Sequence, residues 1–431
     1  MSKQKLGLLT LSGLVVANMI GAGVFTTTGF ALGDLGSWRL VMLAWLIGGV
    51  IAVTGAISYG YLIKLNPQSG GEYLFLSRHI HPLAGFIAGW VSLLAGFTGA
   101  IAYSAMTLET YLLGTEMRES VPENMVATLV IVLAMFAHSI RLGYGTFLQN
   151  IIVVLKLVLI GSFIVYGLIA LPFSDWQGIQ PITTTQSVPV SVFAFALTLM
   201  WVSFSYSGFN AAIYIAGEVD DAKSVVPKAL LLGTGLTVIV YVLLNAVFVM
   251  VPPASSVAFQ EDVAAIAAQF IGGDQLTIAV RAIIVLALFT SVSAMTMIGP
   301  RVYSKMADDG LMPQLLKLRG EIPRAAIILQ TVLAIVVVWM STLRELLSYL
   351  GFMLSLSTLA TVLSLFVVIR KHPQYKEKLL GFPWPPLVYA FFTLLIAGLA
   401  AINEPREMLA ALVTLMCGVI MYLLINRKAG A

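Results

Sequence analysis

Charged residues are scarce in this chain, and cysteine is almost absent. Asp, Glu, Lys and Arg make up 10% of the 431 residues, whereas a soluble domain carries about 25%. Apolar residues make up 59% and the mean hydropathy is +0.96, which together exclude an ordinary soluble protein. The single cysteine, Cys417, excludes an internal disulfide and a cysteine metal cluster. The N-terminus lacks a short apolar segment with a small-residue cleavage site, so we expect the first apolar stretch to be kept as a membrane span.

Apolar stretches long enough to cross a hydrocarbon core of about 30 Å recur along the chain. We number them as spans 1 to 12. They comprise residues 6–32, 40–64, 85–113, 124–140, 147–171, 190–217, 229–251, 276–300, 324–342, 346–370, 384–402 and 407–426. Their number and the short connections between them predict an all-α membrane protein with twelve transmembrane helices.

The distribution of Lys and Arg predicts how these spans are oriented. If the N-terminus is cytoplasmic, the basic residues that fall outside are Arg39, Arg118, Arg344 and Arg406. Two more, Lys156 and Arg281, lie within apolar stretches, which leaves 18 of the 24 on the cytoplasmic side. Basic residues are enriched in cytoplasmic loops. We therefore expect a multi-pass protein of the cell inner membrane with both termini in the cytoplasm.

Spans 1 and 6 are each interrupted by small residues. Span 1 contains Gly21, Ala22 and Gly23, and span 6 contains the run SYSG at residues 205–208. Glycine and serine are poor residues for a helix interior, so both helices are expected to unwind there and to leave backbone groups unpaired. Such groups are tolerated at membrane depth only beside a cavity or within protein. Each interruption is therefore a candidate wall of a binding site.

The spacing of the interruptions predicts an internal repeat. They lie five spans apart, and an odd number of crossings reverses the direction of the chain, as in the inverted repeats of secondary transporters. Residues 1–171 would form the first repeat, residues 190–370 the second, and residues 384–426 an appended pair of helices. One small-residue motif alone favours close helix packing. Two motifs at corresponding positions of two halves favour a binding site.

The expected chemistry of the two interruptions is complementary. The amides of Ala22, Gly23 and Val24 would begin the second half of span 1, where a helix N-terminus attracts an anion such as a carboxylate. The carbonyls of Phe204 and Ser207 would offer acceptors to an ammonium group. An α-amino acid carries both groups on adjacent atoms and satisfies both sets.

Several segments resemble one transporter group. The run NMIGAGVF at residues 18–25 resembles the first-helix signature of the amino acid, polyamine and organocation transporter superfamily, which has the LeuT-like fold. The run FSYSGFN at residues 204–210 resembles the sixth-helix signature of the L-type amino acid transporters and their bacterial relatives. Residues 69–73, 217–229 and 305–313 match at the family's spacing. The resemblance implies a LeuT-like arrangement of five plus five helices with spans 1 and 6 broken.

The resemblance also implies roles for single residues. Ala22 and Gly23 would hold the substrate carboxylate through their amides, and Phe204 would close over the substrate as an outer gate. The carbonyls that would hold the amino group belong to Met19, Phe204 and Ser207. The expected substrate-binding set is completed by Ile20, Gly21, Ser205, Tyr206, Gly208 and Asn210. Glu218 would form part of an inner gate by pairing with a loop Lys or Arg.

Two positions depart from the family pattern. Ala22 replaces a serine that often contributes a hydroxyl to the carboxylate, and Ala222 replaces a proline in the loop after span 6. The first change removes one expected contact to the substrate. The second leaves the loop less rigid.

Lys156 stands in the middle of an apolar run in span 5, where an ammonium group is costly to bury without partners. Its expected partners are Ser291, Ser293 and the carbonyls at the span 1 interruption. In the family that this chain resembles, sodium-coupled members hold a sodium ion in this region between helices 1 and 8. Other members, which are proton-coupled or exchange amino acids, have a lysine there instead. We therefore expect Lys156 to act as a substitute cation that ties span 5 to spans 1 and 8. Proton release from Lys156 during transport is a separate hypothesis, since burial disfavours the charged form.

These observations together predict a secondary transporter that moves amino acids by alternating access. A neutral L-amino acid is favoured because no carboxylate is evident at mid-membrane, and both proton symport and amino acid exchange remain open. The alternatives are an ion channel, a transporter of cationic amino acids or polyamines, and a membrane-embedded enzyme. The expected partners are the amino acid, the lipid bilayer and, for symport, protons. No cofactor, metal or nucleic acid is expected.

Overall fold

The structure is a computed structural model that describes residues 7–118, 120–139, 145–170, 191–318, 320 and 322–429. The predicted start of span 1 at residue 6, the end of span 4 at residue 140, the end of span 5 at residue 171 and the start of span 6 at residue 190 lie outside the described residues. The same holds for the matching ends of the two predicted repeats, at residues 1, 171 and 190.

Helices account for all the regular structure in this described part of the chain. The α-helices are α1 Leu8–Met19, α2 Gly23–Leu35, α3 Trp38–Leu65, α4 Gly71–His79, α5 Pro82–Val91, α6 Ala100–Met117, α7 Met125–Ser139, α8 Gly145–Ala170, α9 Val192–Ser205, α10 Ala222–Met250, α11 Ala254–Val257, α12 Val263–Asp308, α13 Arg324–Met340, α14 Leu343–Lys371, α15 Trp384–Asn403 and α16 Pro405–Ala429. A π-helix, Ser92–Gly99, joins α5 to α6. Three 3-10 helices are Ala211–Glu218, Gln314–Leu316 and Pro373–Lys378.

Many helices are long and apolar enough to cross a membrane. Among the described residues seven pass this test singly, and the bent pair α1 and α2 passes as one broken span. Four shorter apolar helices lie at spans 4, 5, 6 and 9, namely Met125–Ser139, Val154–Ala170, Val192–Ser205 and Arg324–Met340. The prediction of an all-helical membrane protein is confirmed.

Polar contacts between loops define one end of the helix bundle. The Tyr73 hydroxyl donates to Asp309 at 3.4 Å, and the Lys371 ammonium donates to the carbonyl oxygen of His79 at 3.3 Å. These contacts bring α4, the residue after α12 and the end of α14 together. We call this end of the bundle the basic face, because the exposed Arg78, Lys305, Arg370 and Lys371 lie near it.

A second set of contacts defines the opposite end, which we call the distal face. Arg344, in the first turn of α14, forms a bidentate pair with Asp34 at the end of α2, at 3.1 and 2.8 Å. Phe259 donates its amide to the Gly29 carbonyl oxygen at 2.8 Å. The segment around Phe259 thus contacts α2.

Candidate functional site

Span 1 is broken between α1 and α2. The α1 helix ends at Met19, α2 begins at Gly23, and the chain bends by 44° between them. The Gly21 amide donates to the Met19 carbonyl oxygen at 2.9 Å, a contact too short in sequence for an α-helix. Residues 20–22 therefore leave the α-helical pattern at the place where the small residues predict.

The first turn of α2 has no side-chain cap. Its N-cap residue is Ala22, whose methyl group cannot accept a hydrogen bond. The first amides of an α-helix have no partner within the helix, and the positive end of the helix dipole lies there. The amides at Gly23 and Val24 thus form a site suited to an anionic group. A serine at position 22 would have supplied the cap that Ala22 omits.

Span 6 is interrupted in a different way. The α9 helix ends at Ser205, and a 3-10 helix follows from Ala211. Within the intervening turn Gly208 has a φ of 94°, which only glycine adopts readily. The Ser207 amide donates to the Phe204 carbonyl oxygen at 2.9 Å. The Tyr206 amide is also directed at the Phe204 carbonyl oxygen.

The two interruptions are in direct contact. A Cβ atom at Gly23 would lie 2.9 Å from the Ser205 Cα atom, and one at Gly208 would lie 2.9 Å from the Asn18 carbonyl oxygen. The Thr27 hydroxyl lies 2.9 Å from the Ser205 hydroxyl. Both glycines are therefore needed for the two interrupted segments to approach each other. The uncapped amides of α2 lie beside the turn that follows α9.

Phe204 lies beside a tyrosine of span 3. Its ring meets the edge of the Tyr103 ring with a centroid separation of 5.3 Å, and both side chains are buried. The Tyr103 hydroxyl is hydrogen-bonded to the Thr26 hydroxyl in α2. Tyr103 thus bridges α2, the second half of span 1, to the end of α9. Sequence analysis did not single out Tyr103, because a tyrosine in an apolar helix is commonly a packing residue.

The Lys156 ammonium reaches the span 1 interruption. It donates to the Ile20 carbonyl oxygen at 2.7 Å and to the Ala17 carbonyl oxygen at 3.4 Å, and the residue is 4% exposed. Ala17 is in the last turn of α1 and Ile20 is its C-cap residue, so both carbonyls lie at the negative end of that helix. A buried cation in α8 therefore satisfies main-chain oxygens that the break leaves without an amide partner.

The two serines expected beside Lys156 have other partners. The Ser291 hydroxyl donates to the Ala287 carbonyl oxygen at 3.2 Å, within α12. The Ser293 hydroxyl lies 2.8 Å from Nε2 of His138 at the end of α7. The contact of α12 with α7 through Ser293 replaces the expected contact with Lys156.

Tyrosines of other spans support both interruptions from behind. The Tyr241 hydroxyl in α10 donates to the Met19 carbonyl oxygen. The Tyr206 hydroxyl donates to the Trp45 carbonyl oxygen at 3.1 Å, and the residue is 1% exposed. The Tyr206 side chain thus packs against α3, although its main chain belongs to the interruption.

Asn210, at the end of the span 6 turn, contacts a buried carboxylate. Its amide donates to Oε1 of Glu72 at 3.1 Å. Glu72 belongs to the first turn of α4 and is 6% exposed. Asn210 is therefore placed to position the turn after α9. In the sequence, Glu72 is distinguished only by its place in the run at residues 69–73 that matches the family.

Glu218 lies at the end of the 3-10 helix and is exposed. The ion pairs that the described residues form do not include it. The neighbouring Gly217 amide donates to the Ser69 hydroxyl at 2.9 Å. A hydrogen bond to the loop before α4, rather than a charge pair, thus holds this end of the helix.

A cavity of about 40 Å³ lies beside the span 6 turn. Its lining includes Gly48, Ser207, Phe209, Thr358 and Tyr389, from α3, the turn, α14 and α15. This volume suits one or a few water molecules rather than an amino acid. The turn after α9 is therefore not fully packed on the side that faces α3, α14 and α15.

Comparisons with known proteins agree with the geometry. The chain is 24% identical to the large neutral amino acids transporter small subunit 2 of Homo sapiens, over 98% of this chain and 80% of that protein. It is 25% identical to the serine/threonine exchanger SteT of Bacillus subtilis, over 90% of this chain and 88% of that protein. The Asc-type amino acid transporter 1 of Homo sapiens is 23% identical, over 98% of this chain and 81% of that protein. A family model described as amino acid permease matches residues 6–425. The chain therefore belongs to the amino acid permease family, within the superfamily of amino acid, polyamine and organocation transporters, as its two interrupted spans suggested.

Proposed function

We propose that this protein transports neutral L-amino acids by alternating access, with the substrate held where the two interruptions meet. The observation that carries the proposal is the uncapped N-terminus of α2 in contact with the turn after α9. A helix N-terminus binds anions, and carbonyl oxygens at a turn can accept from cations. The two together match a zwitterion.

The substrate carboxylate takes the place of the missing cap on α2. The amides of Ala22, Gly23 and Val24 are its donors, and Ile20 and Gly21 shape the bend that exposes them. Ala22 contributes no hydroxyl, so the amides alone supply this contact. Fixed amides need no reorganisation when the substrate arrives, which favours tight and orientation-specific binding.

The substrate ammonium is held by carbonyls of both interruptions. Phe204 and Ser207 supply acceptors from span 6, and Ser205 and Gly208 allow the close approach. Met19 is a third acceptor in this proposal. Because the Met19 carbonyl already accepts from Tyr241 and Gly21, its bond to substrate requires one of these donors to turn away.

The charges around the site favour a neutral side chain. Lys156 places a buried ammonium beside Ile20, which repels a cationic substrate. Glu72, the carboxylate next to the span 6 turn, already accepts three hydrogen bonds. The names of the relatives point the same way, since two of them refer to neutral amino acids or to serine and threonine. This combination disfavours cationic amino acids and polyamines.

The architecture proposed for this cycle is that of twelve spans in two inverted repeats, residues 1–171 and 190–370, with residues 384–426 appended. The interruptions in the first member of each repeat support it. The basic face is the cytoplasmic side of the inner membrane in this proposal, because basic residues are enriched there. Phe204 and Tyr103 then close the outer path, and Glu218 lies at the inner end.

Amino acid exchange is favoured over proton symport. The observation behind this preference is that one relative is named as an exchanger. Lys156 fits either mechanism, because its ammonium serves as a fixed cation in exchange and as a proton donor in symport.

A competition experiment in proteoliposomes tests the proposal. The twenty amino acids compete against one labelled neutral L-amino acid, with and without internal amino acid and with and without a pH gradient. The expected result is saturable, stereoselective uptake that internal amino acid accelerates. Unitary currents in a planar bilayer would instead support a channel, and a chemically altered substrate would support an enzyme.

A further inference from the structure

Glu72 is a buried carboxylate that joins three parts of the fold. Its Oε1 atom accepts from the Tyr59 hydroxyl in α3 and from the Asn210 amide after α9. Its Oε2 atom accepts from the Ser357 hydroxyl in α14 at 2.7 Å. These three contacts tie the turn of span 6 to two neighbouring helices through one side chain.

The segment that Glu72 holds has further contacts with the same region. A Cβ atom at Gly71 would lie 2.3 Å from Cε1 of Tyr214, which shows how closely the 3-10 helix packs on the start of α4. The Ser69 hydroxyl accepts from the Gly217 amide at 2.9 Å. The loop before α4 and its first turn thus clasp the 3-10 half of span 6 along its length.

No cation within the described part of the chain pairs with Glu72. The titratable side chains close enough to interact with it are tyrosines, namely Tyr59 in α3, Tyr214 in the 3-10 helix and Tyr389 in α15. Tyrosine is neutral near pH 7. Burial therefore raises the pKa of the Glu72 carboxyl, against the opposing effect of the hydrogen bonds that it accepts.

The charged side chains nearby are directed elsewhere. Arg78, on α4 itself, donates to Gln68. Lys371, at the end of α14, donates to the carbonyl oxygen of His79. Asp309, at the end of α12, lies 2.9 Å from Lys305. None of these groups neutralises the Glu72 carboxylate directly.

The site accommodates both protonation states of Glu72. As a carboxylate it accepts all three hydrogen bonds. With a proton on Oε2 it donates to Ser357, because a serine hydroxyl can accept as well as donate. Hydrogen bonds to an ionised group are roughly twice as strong as neutral ones. Proton binding therefore weakens the contact to Asn210, while the contact between Glu72 and Ser357 is kept with its direction reversed.

We propose that Glu72 is a positioning residue that binds a proton and thereby releases the 3-10 half of span 6 from α3 and α14. In the ionised form it holds this half of span 6 in place; in the protonated form the path toward the basic face opens more readily. The proposal rests on the alternating-access function above, because only such a cycle requires this half of span 6 to move. It adds a pH-sensitive step that is separate from Lys156.

Distances between spin labels on the basic face test the proposal without any substrate. The labels are placed at Glu218→Cys and Arg370→Cys, two exposed positions at the ends of the 3-10 helix and α14, in a Cys417→Ser background. Between about pH 8 and pH 5.5 the longer-distance population is expected to rise by about tenfold. Glu72→Gln, which has the shape of the protonated side chain, is expected to show the low-pH distribution at every pH. A distribution that does not respond to pH, or a Glu72→Gln variant that responds as the parent does, overturns the proposal.

A second pair of variants keeps the test sharp if Glu72→Gln does not fold. Tyr59→Phe removes one donor to the carboxylate, so the midpoint of the pH response is expected to move to higher pH. Tyr73→Phe is the matched control, because its hydroxyl faces Asp309 rather than Glu72. An unmoved midpoint in Tyr59→Phe contradicts the proposal. If the labels respond as expected but no amino acid is transported, the proposed function fails and the assignment of Glu72 does not.

Discussion

The two interruptions are held by buried side chains of opposite charge. At span 1, the Lys156 ammonium donates directly to main-chain oxygens at the C-terminal end of α1. At span 6, the Glu72 carboxylate accepts from the Asn210 side chain after α9. The difference teaches that a broken helix is stabilised by whichever charge its exposed groups require. A helix C-terminus takes a cation, whereas the side-chain amide of Asn210, a hydrogen-bond donor, takes an anion.

The largest effect is expected where the two interruptions touch. Gly23→Leu should lower transport by about 100-fold or more, because a side chain there displaces Ser205 and covers the amides of α2. Uptake into proteoliposomes measures it. Gly13→Leu is the matched control, since no atom lies within 4 Å of a Cβ atom at that glycine. Equal uptake by both variants would show that the contact of the interruptions is not needed.

Loss of the cation at span 1 should have the next largest effect. Lys156→Ala leaves the Ile20 carbonyl without its donor, and a buried acceptor without a partner costs about 1–3 kcal/mol. Turnover is expected to fall by about tenfold to a hundredfold. Lys223→Ala, at an exposed position in the first turn of α10, serves as the control. Unchanged exchange kinetics in Lys156→Ala would remove the lysine from the mechanism.

A smaller effect is expected for the neutral support of span 1. Tyr241→Phe removes a hydrogen bond to the Met19 carbonyl oxygen, worth about 0.5–1.5 kcal/mol. If this bond only positions the break, substrate affinity should fall a few-fold. Tyr166→Phe, at a 52% exposed position, is the control. An affinity increase in Tyr241→Phe would instead indicate that Tyr241 competes with the substrate for Met19.

The smallest effect is expected for Glu404, a carboxyl on the distal face that contacts neither interruption. Burial, and then the neighbouring Glu407, raises the pKa of Glu404 to about 7. Since this pKa is higher in the folded protein than in the unfolded chain, the free energy of unfolding falls as the pH rises through that range. Glu404→Gln removes this loss, so the difference in melting temperature between about pH 5 and pH 8 should shrink by on the order of 1 °C. The exposed Glu377→Gln should leave the difference unchanged.

Glu404→Gln also serves as a control for the variants at the two interruptions. Its transport rate is expected to equal that of the parent protein, because Glu404 contacts the distal Arg344 rather than either interruption. A pH profile of transport altered as strongly as by Glu72→Gln would place the pH-sensitive step on the distal face.

Both interruptions were predictable because glycine and serine are conspicuous in an apolar helix. Lys156 was predictable for the same reason, as a charge in an uncharged run. The partners of Lys156 were only partly predictable. The carbonyls at the break were expected, but the rotation of α12 about its axis directs Ser293 to His138, and residue spacing along the sequence does not reveal that rotation.

Glu72 and Tyr103 illustrate what the sequence conceals. An acidic residue in the first turn of a helix is ordinary, so nothing in the run at residues 69–73 indicates that Glu72 is buried. Tyr103 lies among apolar residues, where its hydroxyl is not informative until its partner Thr26 is known. Long-range packing, rather than local pattern, gives both residues their roles.

The central claim is that main-chain groups of two interrupted helices hold the carboxylate and the ammonium of one substrate together. Competition by three related compounds tests it most directly: a neutral L-amino acid, its methyl ester and its decarboxylated amine. The account predicts that only the intact amino acid displaces a labelled substrate at concentrations near its own affinity. Equal displacement by the ester or the amine would contradict it.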